Sequence, residues 1–424
     1  MIERRCDVAV VGSGAGGLAA AVAAREAGAR EVLVLERDNI LGGILPQCIH
    51  TGFGLEIFSE DLTGPEYIHR FVARALELQL PTALNTMVLE ITSNRELYAA
   101  SPEEGLLKIK AGAVVLAMGC RERTRGALAI PGTRPAGIMT AGLAQRFVNI
   151  EGYMPGERIV VLGSGDVGMI MARRFTFEGA HVEAVVEILP YIGGLIRNKV
   201  QCLDDYGIPL FLEHTVTEIL GNMRVTGVKI AKVNEDLEPI LETGREIACD
   251  TLVLSVGLIP ENELSEKLGV EMDSVTGGPL VNELMETSIP GIFACGNVVH
   301  VCDIVDNVTQ MGLVAGKSAA RFALEGPAET EPRIRLRPGE NVRYVVPQTI
   351  SAARLAEAPL PLHLRVARPD ENVRVSIVAG RRCIFDSREK AVAPGEALIA
   401  SIPTSAAEFL AQVDELQIDV QQVK

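Results

Sequence analysis

Apolar residues in the first third of the chain fall in short blocks rather than long runs. Val8-Ala9-Val10-Val11 reads as a buried strand, and the Ala-rich stretch after it, from Leu18 through Ala24, reads as a helix. Val32-Leu33-Val34-Leu35 is a second buried strand. Strand, helix and strand at this spacing predict a parallel βαβ unit, because parallel strands need a crossover between them. Residues 64–78 form a further helix, with Pro65 in its first turn and apolar positions at Tyr67, Phe71, Val72 and Leu76. Residues 86–91 and 106–109 alternate as strands on either side of a turn at 101–105. Residues 113–119 complete the block as a buried parallel strand ended by glycine.

The same pattern then begins again. Residues 158–162 are apolar after Arg158, a helix follows, and His181 to Val186 is a strand. Residues 251–262 close this second block, 289–297 make a short strand with a polar end, and a helix runs through Gly312 to Leu324. Residues 327–332 read as a linker. Beyond it the chain alternates like β-strands in 341–346, 363–366, 373–378 and 397–402, with a last helix expected near 406–416.

The turns between strand and helix carry the chemistry. Gly12-Ser13-Gly14-Ala15-Gly16-Gly17 has the GxGxxG spacing: Gly12 for the tight turn, Gly14 for close approach of a diphosphate, Gly17 for close packing of helix on strand. Free N–H groups and the dipole of the helix N-terminus then favour an anion. Glu36, 19 residues after Gly17, stands where a ribose hydroxyl arrives. Gly163, Gly165, Asp166 and Gly168 repeat the loop 151 residues later, and Glu187 again follows the last glycine by 19. Two such units call for two dinucleotides. The fold class expected is α/β, with two Rossmann-like dinucleotide-binding domains, the second inserted in the first, plus a small C-terminal β-rich domain. The boundaries drawn are 1–155 with 285–327 for the first, 156–284 for the second, and 328–424 for a partner or dimer domain.

Composition narrows the partners. A chain of 424 residues exceeds one hydrophobic core. A net charge of -15 disfavours nonspecific binding to nucleic acid or anionic membranes, and the absence of Trp disfavours a base-stacking surface. Arg4 and Arg5 before an apolar stretch imitate a leader, but Asp7 and the loop glycines interrupt it, and no run of 18 apolar residues exists. The eight cysteines include no pair separated by only two residues, which removes a CxxC redox pair and an ordinary zinc or iron–sulfur loop, so free thiols in a reducing cytoplasm are expected and no metal site.

Residues 12–36, 163–187 and 291–297 resemble the two-dinucleotide-binding flavoproteins related to thioredoxin reductase and lipoamide dehydrogenase. The resemblance covers about residues 5–325 and implies FAD in the first unit, NAD(P)H in the second and hydride exchange between them. Gly296 and Asn297 match the segment whose terminal acid holds the FAD ribityl chain and pyrophosphate, with Asn297 replacing the usual Asp. Residues 119–123, 130–132 and 135–142 are similar to α-type subunits of proline dehydrogenase, sarcosine oxidase and cyanide-forming glycine oxidase. The run 41–55 looks like a flavoprotein encoded beside an anaerobic-type glycerol-3-phosphate dehydrogenase subunit. The paired cysteines of lipoamide-dehydrogenase relatives are missing, since only Cys48 follows Gly42 and Gly43.

The cofactor-binding residues expected are therefore Gly12 to Gly17, Glu36, Arg37, Gly42, Gly43, Val88, Ala117, Gly119, Gly296 and Asn297 for FAD. For NAD(H) they are Gly163, Gly165, Asp166, Gly168, Glu187 and Gly257. Glu187 favours NAD(H) over NADP(H), because a carboxylate bonds a ribose diol and repels a 2′-phosphate. Cys48 and His50 are the catalytic candidates, for charge or proton transfer beside the flavin; the alternative is a small buried filler and a bonded loop residue. Cys295 reads as core, Cys302 and Asp303 as loop or domain contact, and residues 121–123 as either a solvated charge cluster or a cofactor clamp. The activity expected is electron transfer between NAD(H) and a partner dehydrogenase, of a glycerol-3-phosphate type. The rivals are part of an amine or imino-acid dehydrogenase complex and a non-catalytic flavin scaffold, and a homo-oligomer is an alternative assembly.

Overall fold

A computed structural model describes residues 1–327, 332–355 and 358–423, so 328–331 of the expected linker lie outside the described residues. The chain folds as two compact units. The first comprises Met1–Pro46, Thr51–Cys120 and Pro260–Lys424, and the second Gln47–His50 and Arg121–Ile259.

In the first unit, strand Ile2–Val11 lies between the parallel strands Val32–Leu35 and Gly105–Leu116. The second of these does two jobs. Its beginning pairs antiparallel with Glu96–Ser101, while Val114 to Leu116 pair in parallel with Ile292–Ala294. Helix Ala15–Glu26 covers one face and is buried from Ala15 through Ala24, a degree of enclosure its Ala and Gly content permits. Helix Val305–Glu325 packs on it at two glycines. A Cβ on Gly312 would run into the Gly16 carbonyl, and one on Gly316 into that of Ala20. The pairings 312 with 16 and 316 with 20 mean that the two helices run in the same direction. The helix starts at Val305, earlier than the polar sequence Asp306-Asn307-Thr309 suggests, because those side chains are buried rather than solvated.

The second unit has a five-stranded parallel sheet in the order Ile138–Thr140, Thr251–Leu254, Arg158–Leu162, His181–Val186, Leu210–Phe211. Helices Ala141–Arg146, Asp166–Phe177 and Ile196–Cys202 contribute Ala144, Met169, Phe175 and Cys202 to one apolar core. An antiparallel meander of His214–Gly221, Val225–Lys232 and Arg245–Ala248 contributes to the other.

Residues 334–422 form a five-stranded and a three-stranded sheet around their own core, including Leu336, Leu364, Ile377 and Ile418. The last helix is only Ala407–Leu410, where the sequence pattern suggested one to about 416. The reason is a change of period, because Leu416, Ile418 and Val420 alternate into the core as strand Glu415–Gln422. Strand Leu360–Val366 is buried on both faces, Leu362, Leu364 and Val366 entering the C-terminal core and His363 and Arg365 facing away from it.

Candidate functional site

The first glycine loop is shaped by backbone that no side chain fits. Gly12 has φ +99°, and a Cβ there would press on the Ala117 carbonyl, while one on Gly17 would overlap the carbonyl of Gly12. Among the described residues nothing lies within 4 Å of a Cβ built on Gly14, so the loop is open at that point. Glu36 is 6% exposed and works as a hub. One of its oxygens accepts from the Ser13 amide at 2.8 Å and the Ser13 hydroxyl at 2.6 Å, and the other from the Asp38 amide at 2.8 Å. The Gly42 amide donates to Ser13 Oγ at 3.3 Å, and Gly43, at φ +59°, sits where its Cβ would be 2.9 Å from Gly14 Cα. Arg37 is exposed beside this loop.

The second loop repeats these bonds. Gly163 has φ +94°, and Ser164 donates to Glu187 through its amide at 2.8 Å and its hydroxyl at 2.6 Å. The Leu189 amide donates to the other Glu187 oxygen at 3.0 Å. The Gly168 amide donates to Ser255 Oγ at 3.0 Å, and a Cβ on Gly168 would collide with Ser255. Gly257, at φ +98°, accepts from the Arg123 amide at 3.0 Å.

In the first unit a third element converges on the strand ends. Asn297 Oδ1 accepts the Cys302 amide at 2.9 Å, and its Nδ2 lies 3.5 Å from Cys120 Sγ. Gly119 and Gly296 both have left-handed φ, +73° and +74°. Val88 lies 4% exposed in strand Met87–Ile91 and belongs to the core cluster. Helix Val305–Glu325 projects about 9 Å past the start of helix Ala15–Glu26, counting about 1.5 Å per residue from the Gly312–Gly16 contact. Both N-termini thus point toward one end of the unit. Asp306, 1% exposed, accepts the amides of Gly54 at 3.1 Å and Ile57 at 2.9 Å. Asn307, also 1% exposed, keeps a buried Oδ1 with no hydrogen-bond partner among the described residues. An amide oxygen so placed, beside free helix N–H groups, offers one acceptor among donors. That set complements the pyrimidine edge of an isoalloxazine, where N3–H lies between two carbonyls. The residues present therefore fit a flavin.

Cys48 and His50 belong to the second unit. Gln47 anchors their segment, donating to Gly142 O at 2.9 Å and Gln145 Oε1 at 3.0 Å while its carbonyl accepts from Asn149 at 2.8 Å. Cys48 Sγ is 3.7 Å from Gln145 Oε1, and burial pushes its thiol up to about 12. Burial, aided by the Arg173 and Arg197 cations, holds His50 down to about 4. At neutral pH the pair is a thiol and an uncharged imidazole. Glu122 accepts the Gly142 amide at 2.7 Å, which makes it a local brace.

One group carried no usable signal in the sequence. Asn307 looks like any polar residue in a loop. Asp303, expected as loop or domain contact, is half of a buried ion pair, with Arg365 donating to its two oxygens at 2.9 and 2.7 Å.

The signature of the family described as pyridine nucleotide-disulphide oxidoreductase matches residues 6–316. The HcnB component of hydrogen cyanide synthase from Pseudomonas protegens is 26% identical over 68% of this chain and 65% of its own length. One of the opine oxidase subunits of Agrobacterium tumefaciens is 26% identical over 75% of this chain and 65% of its own. The chain thus spans slightly less than two thirds of these relatives. Among solved structures, thioredoxin reductase from T. acidophilum superposes with a TM-score of 0.62 at 23% identity, over 76% of this chain and all of that one. L-proline dehydrogenase from P. horikoshii gives 0.52 at 20%, over 74% of this chain and 55% of the other. Both likenesses concern the fold.

Proposed function

The chain belongs to the pyridine nucleotide-disulphide oxidoreductase family, and from that premise we propose that it passes electrons between NAD(H) and a partner dehydrogenase subunit. FAD and NAD(P)H are the cofactors of the family. In this reading the loop at Gly12–Gly17 with Glu36, Gly42 and Gly43 holds FAD, and the loop at Gly163–Gly168 with Glu187 holds the pyridine nucleotide. The bound pair supplies two-electron hydride exchange. The protein contributes placement. Glycine-loop amides neutralise each diphosphate, Glu36 and Glu187 receive ribose hydroxyls, and Asn307 with its helix N-terminus meets the polar edge of the flavin. Glu187 selects NAD(H), since its carboxylate would repel a 2′-phosphate. Cys48 and His50 are neutral at working pH, and a role for them in proton transfer must use those forms.

The observation that carries this reading is the pairing of two matched nucleotide cradles with eight cysteines of which none forms a CxxC. With no CxxC in the chain, the electrons leave by hydride, to a partner protein or to a diffusing acceptor, and the partner is the route proposed. A glycerol-3-phosphate dehydrogenase is the partner favoured by residues 41–55. A second reading, that the chain is a subunit of an amine or imino-acid dehydrogenase, is favoured by the relatives named as subunits of hydrogen cyanide synthase and opine oxidase. Free thiols suit a reducing cytoplasm, and among the described residues no helix is long and apolar enough to cross a membrane.

Anaerobic titration with NADH, followed at the flavin absorbance, tests the core of the proposal. Bleaching at one equivalent supports it, and protein that binds no FAD overturns it. Assay of the native complex with glycerol 3-phosphate, proline, sarcosine and glycine separates the two partner readings.

A further inference from the structure

The internal repeat does not stop at the ribose acid. With the same offset of 151, Gly42-Gly43 of the first unit corresponds to Gly193-Gly194 of the second, and no gap intervenes from residue 8 to residue 43. The bonding repeats with it. The Gly42 amide donates to Ser13 Oγ, and the Gly193 amide donates to Ser164 Oγ at 2.8 Å. Each serine is in turn tied to its glutamate, so loop, serine and ribose acid form one connected set in both units.

The means of holding the loop differs. In the first unit Gly43 rests on Gly14, backbone against backbone. In the second the residue that succeeds the GxG is Asp166, where the first unit has Ala15. One Asp166 oxygen accepts the Leu195 amide at 2.8 Å and Asn198 Nδ2 at 2.6 Å, and the Asp166 amide lies 2.8 Å from where a Gly194 Cβ would stand. A carboxylate on the first turn of the nucleotide-facing helix thus fastens the end of the loop and the start of helix Ile196–Cys202. Between Glu187 and that fastening the loop reads Ile-Leu-Pro-Tyr-Ile-Gly-Gly-Leu, with no charged side chain.

We propose that residues 188–195 are a clamp over the adenosine diphosphate moiety of the pyridine nucleotide, and that Asp166 is the positioning residue that latches it. The proposal rests on assigning the pyridine nucleotide to the second unit. An apolar clamp accepts a free 2′-hydroxyl at Glu187 and offers a 2′-phosphate no cation. The latch works without touching the reacting ring, so its loss acts on binding rather than on turnover.

The test uses the holoenzyme with ADP-ribose, a probe with no redox chemistry, and reads its dissociation constant, the FAD content, and KM and kcat for NADH. A loop held by charge-assisted bonds should loosen when they are removed, so Asp166→Ala weakens ADP-ribose binding about ten- to hundredfold. It raises KM in step and lowers kcat far less, with FAD content as in the parent. Asp166→Asn retains an acceptor oxygen for Leu195 and recovers most of the loss, which a generally damaged unit would not do. Asn198→Ala removes the 2.6 Å bond alone and weakens binding severalfold; it decides the matter should Asp166→Ala not fold. Unchanged ADP-ribose affinity in Asp166→Ala, or in Asn198→Ala where that variant decides, overturns the latch. Failure of the parent protein to bind ADP-ribose overturns instead the assignment of the second unit, and the clamp with it.

Discussion

Replacing Asp303 with Ala isolates a buried cation. The Arg365 side chain is 8% exposed and that of Asp303 13%, and the pair is bidentate. Arg365 also donates to Val301 O and Pro394 O, each at 3.1 Å, and to Tyr344 Oη at 3.3 Å, while Asp303 accepts the Ala397 amide. Removing one member of a buried pair costs about 3–5 kcal/mol, and the three remaining acceptors place this case near the lower figure, about 3 kcal/mol. With an unfolding entropy of roughly 2.1 cal/mol/K per residue over the 424-residue chain, that is a fall of about 3 °C if everything melts together. The fall is several times larger if residues 334–422 melt separately, because fewer residues then share the loss. The control is Asp386→Ala, whose partner Arg374 is 50% exposed and whose removal costs at most about 1 kcal/mol. With no Trp in the chain, melting is followed by far-UV circular dichroism. Asp303→Ala melting within about 1 °C of Asp386→Ala would refute the reasoning, since the pair would then behave as a surface one.

Three further outcomes follow from buried polar groups. Burial, then the neighbouring His363 and Arg365, holds His300 down to about 3, and burial holds His50 down to about 4. Both imidazoles bind fewer protons folded than unfolded below the ordinary 6.5. Stability is therefore full above that value and declines on acidification, by about 2 kcal/mol per imidazole at pH 5; thermal melts between pH 7.5 and 5 that do not move would contradict it. Cys48 should resist iodoacetamide at pH 7.5 while the exposed Cys383 reacts, because the thiol is held up to about 12; peptide mass spectrometry showing the reverse order would count against the burial argument. Asn307→Leu removes the unpartnered acceptor and should weaken FAD binding by about tenfold, one hydrogen bond's worth in a buried site, and equal FAD retention after dialysis would dismiss Asn307 as a flavin contact.

The α/β class and the repeated loop were legible because backbone geometry leaves little choice at those positions. Only glycine adopts the φ of Gly12 and Gly163 without strain, and only glycine lets a helix approach a strand as closely as at Gly17. Spacing in the chain is then spacing in space. What could not be read is whatever depends on segments far apart in sequence. Asp306, Asn307 and Thr309 look like a solvated loop, and only the enclosed position of their helix turns them into buried groups. Arg365 looks like a surface cation until both faces of its strand are seen to be covered. The paired glycines at 193 and 194 were within reach of the repeat and needed only the alignment carried seven residues past Glu187.

The two small-residue contacts between helices 15–26 and 305–325 connect these points. Free amides at a helix start attract an anion or a carbonyl oxygen only over the first turn, so their usefulness depends on where the helix begins. Gly312 and Gly316 fix that for the second helix, since the Gly16 and Ala20 carbonyls occupy the space any Cβ would need. Parallel packing at these contacts sends both helices toward the same end of the sheet and carries the later one about 9 Å farther. Under the proposed reading, the FAD diphosphate would lie at the nearer N-terminus and the flavin ring at the farther one. Substituting Ala at Gly312 would force the helices apart, and the two ends of that site would lose register together.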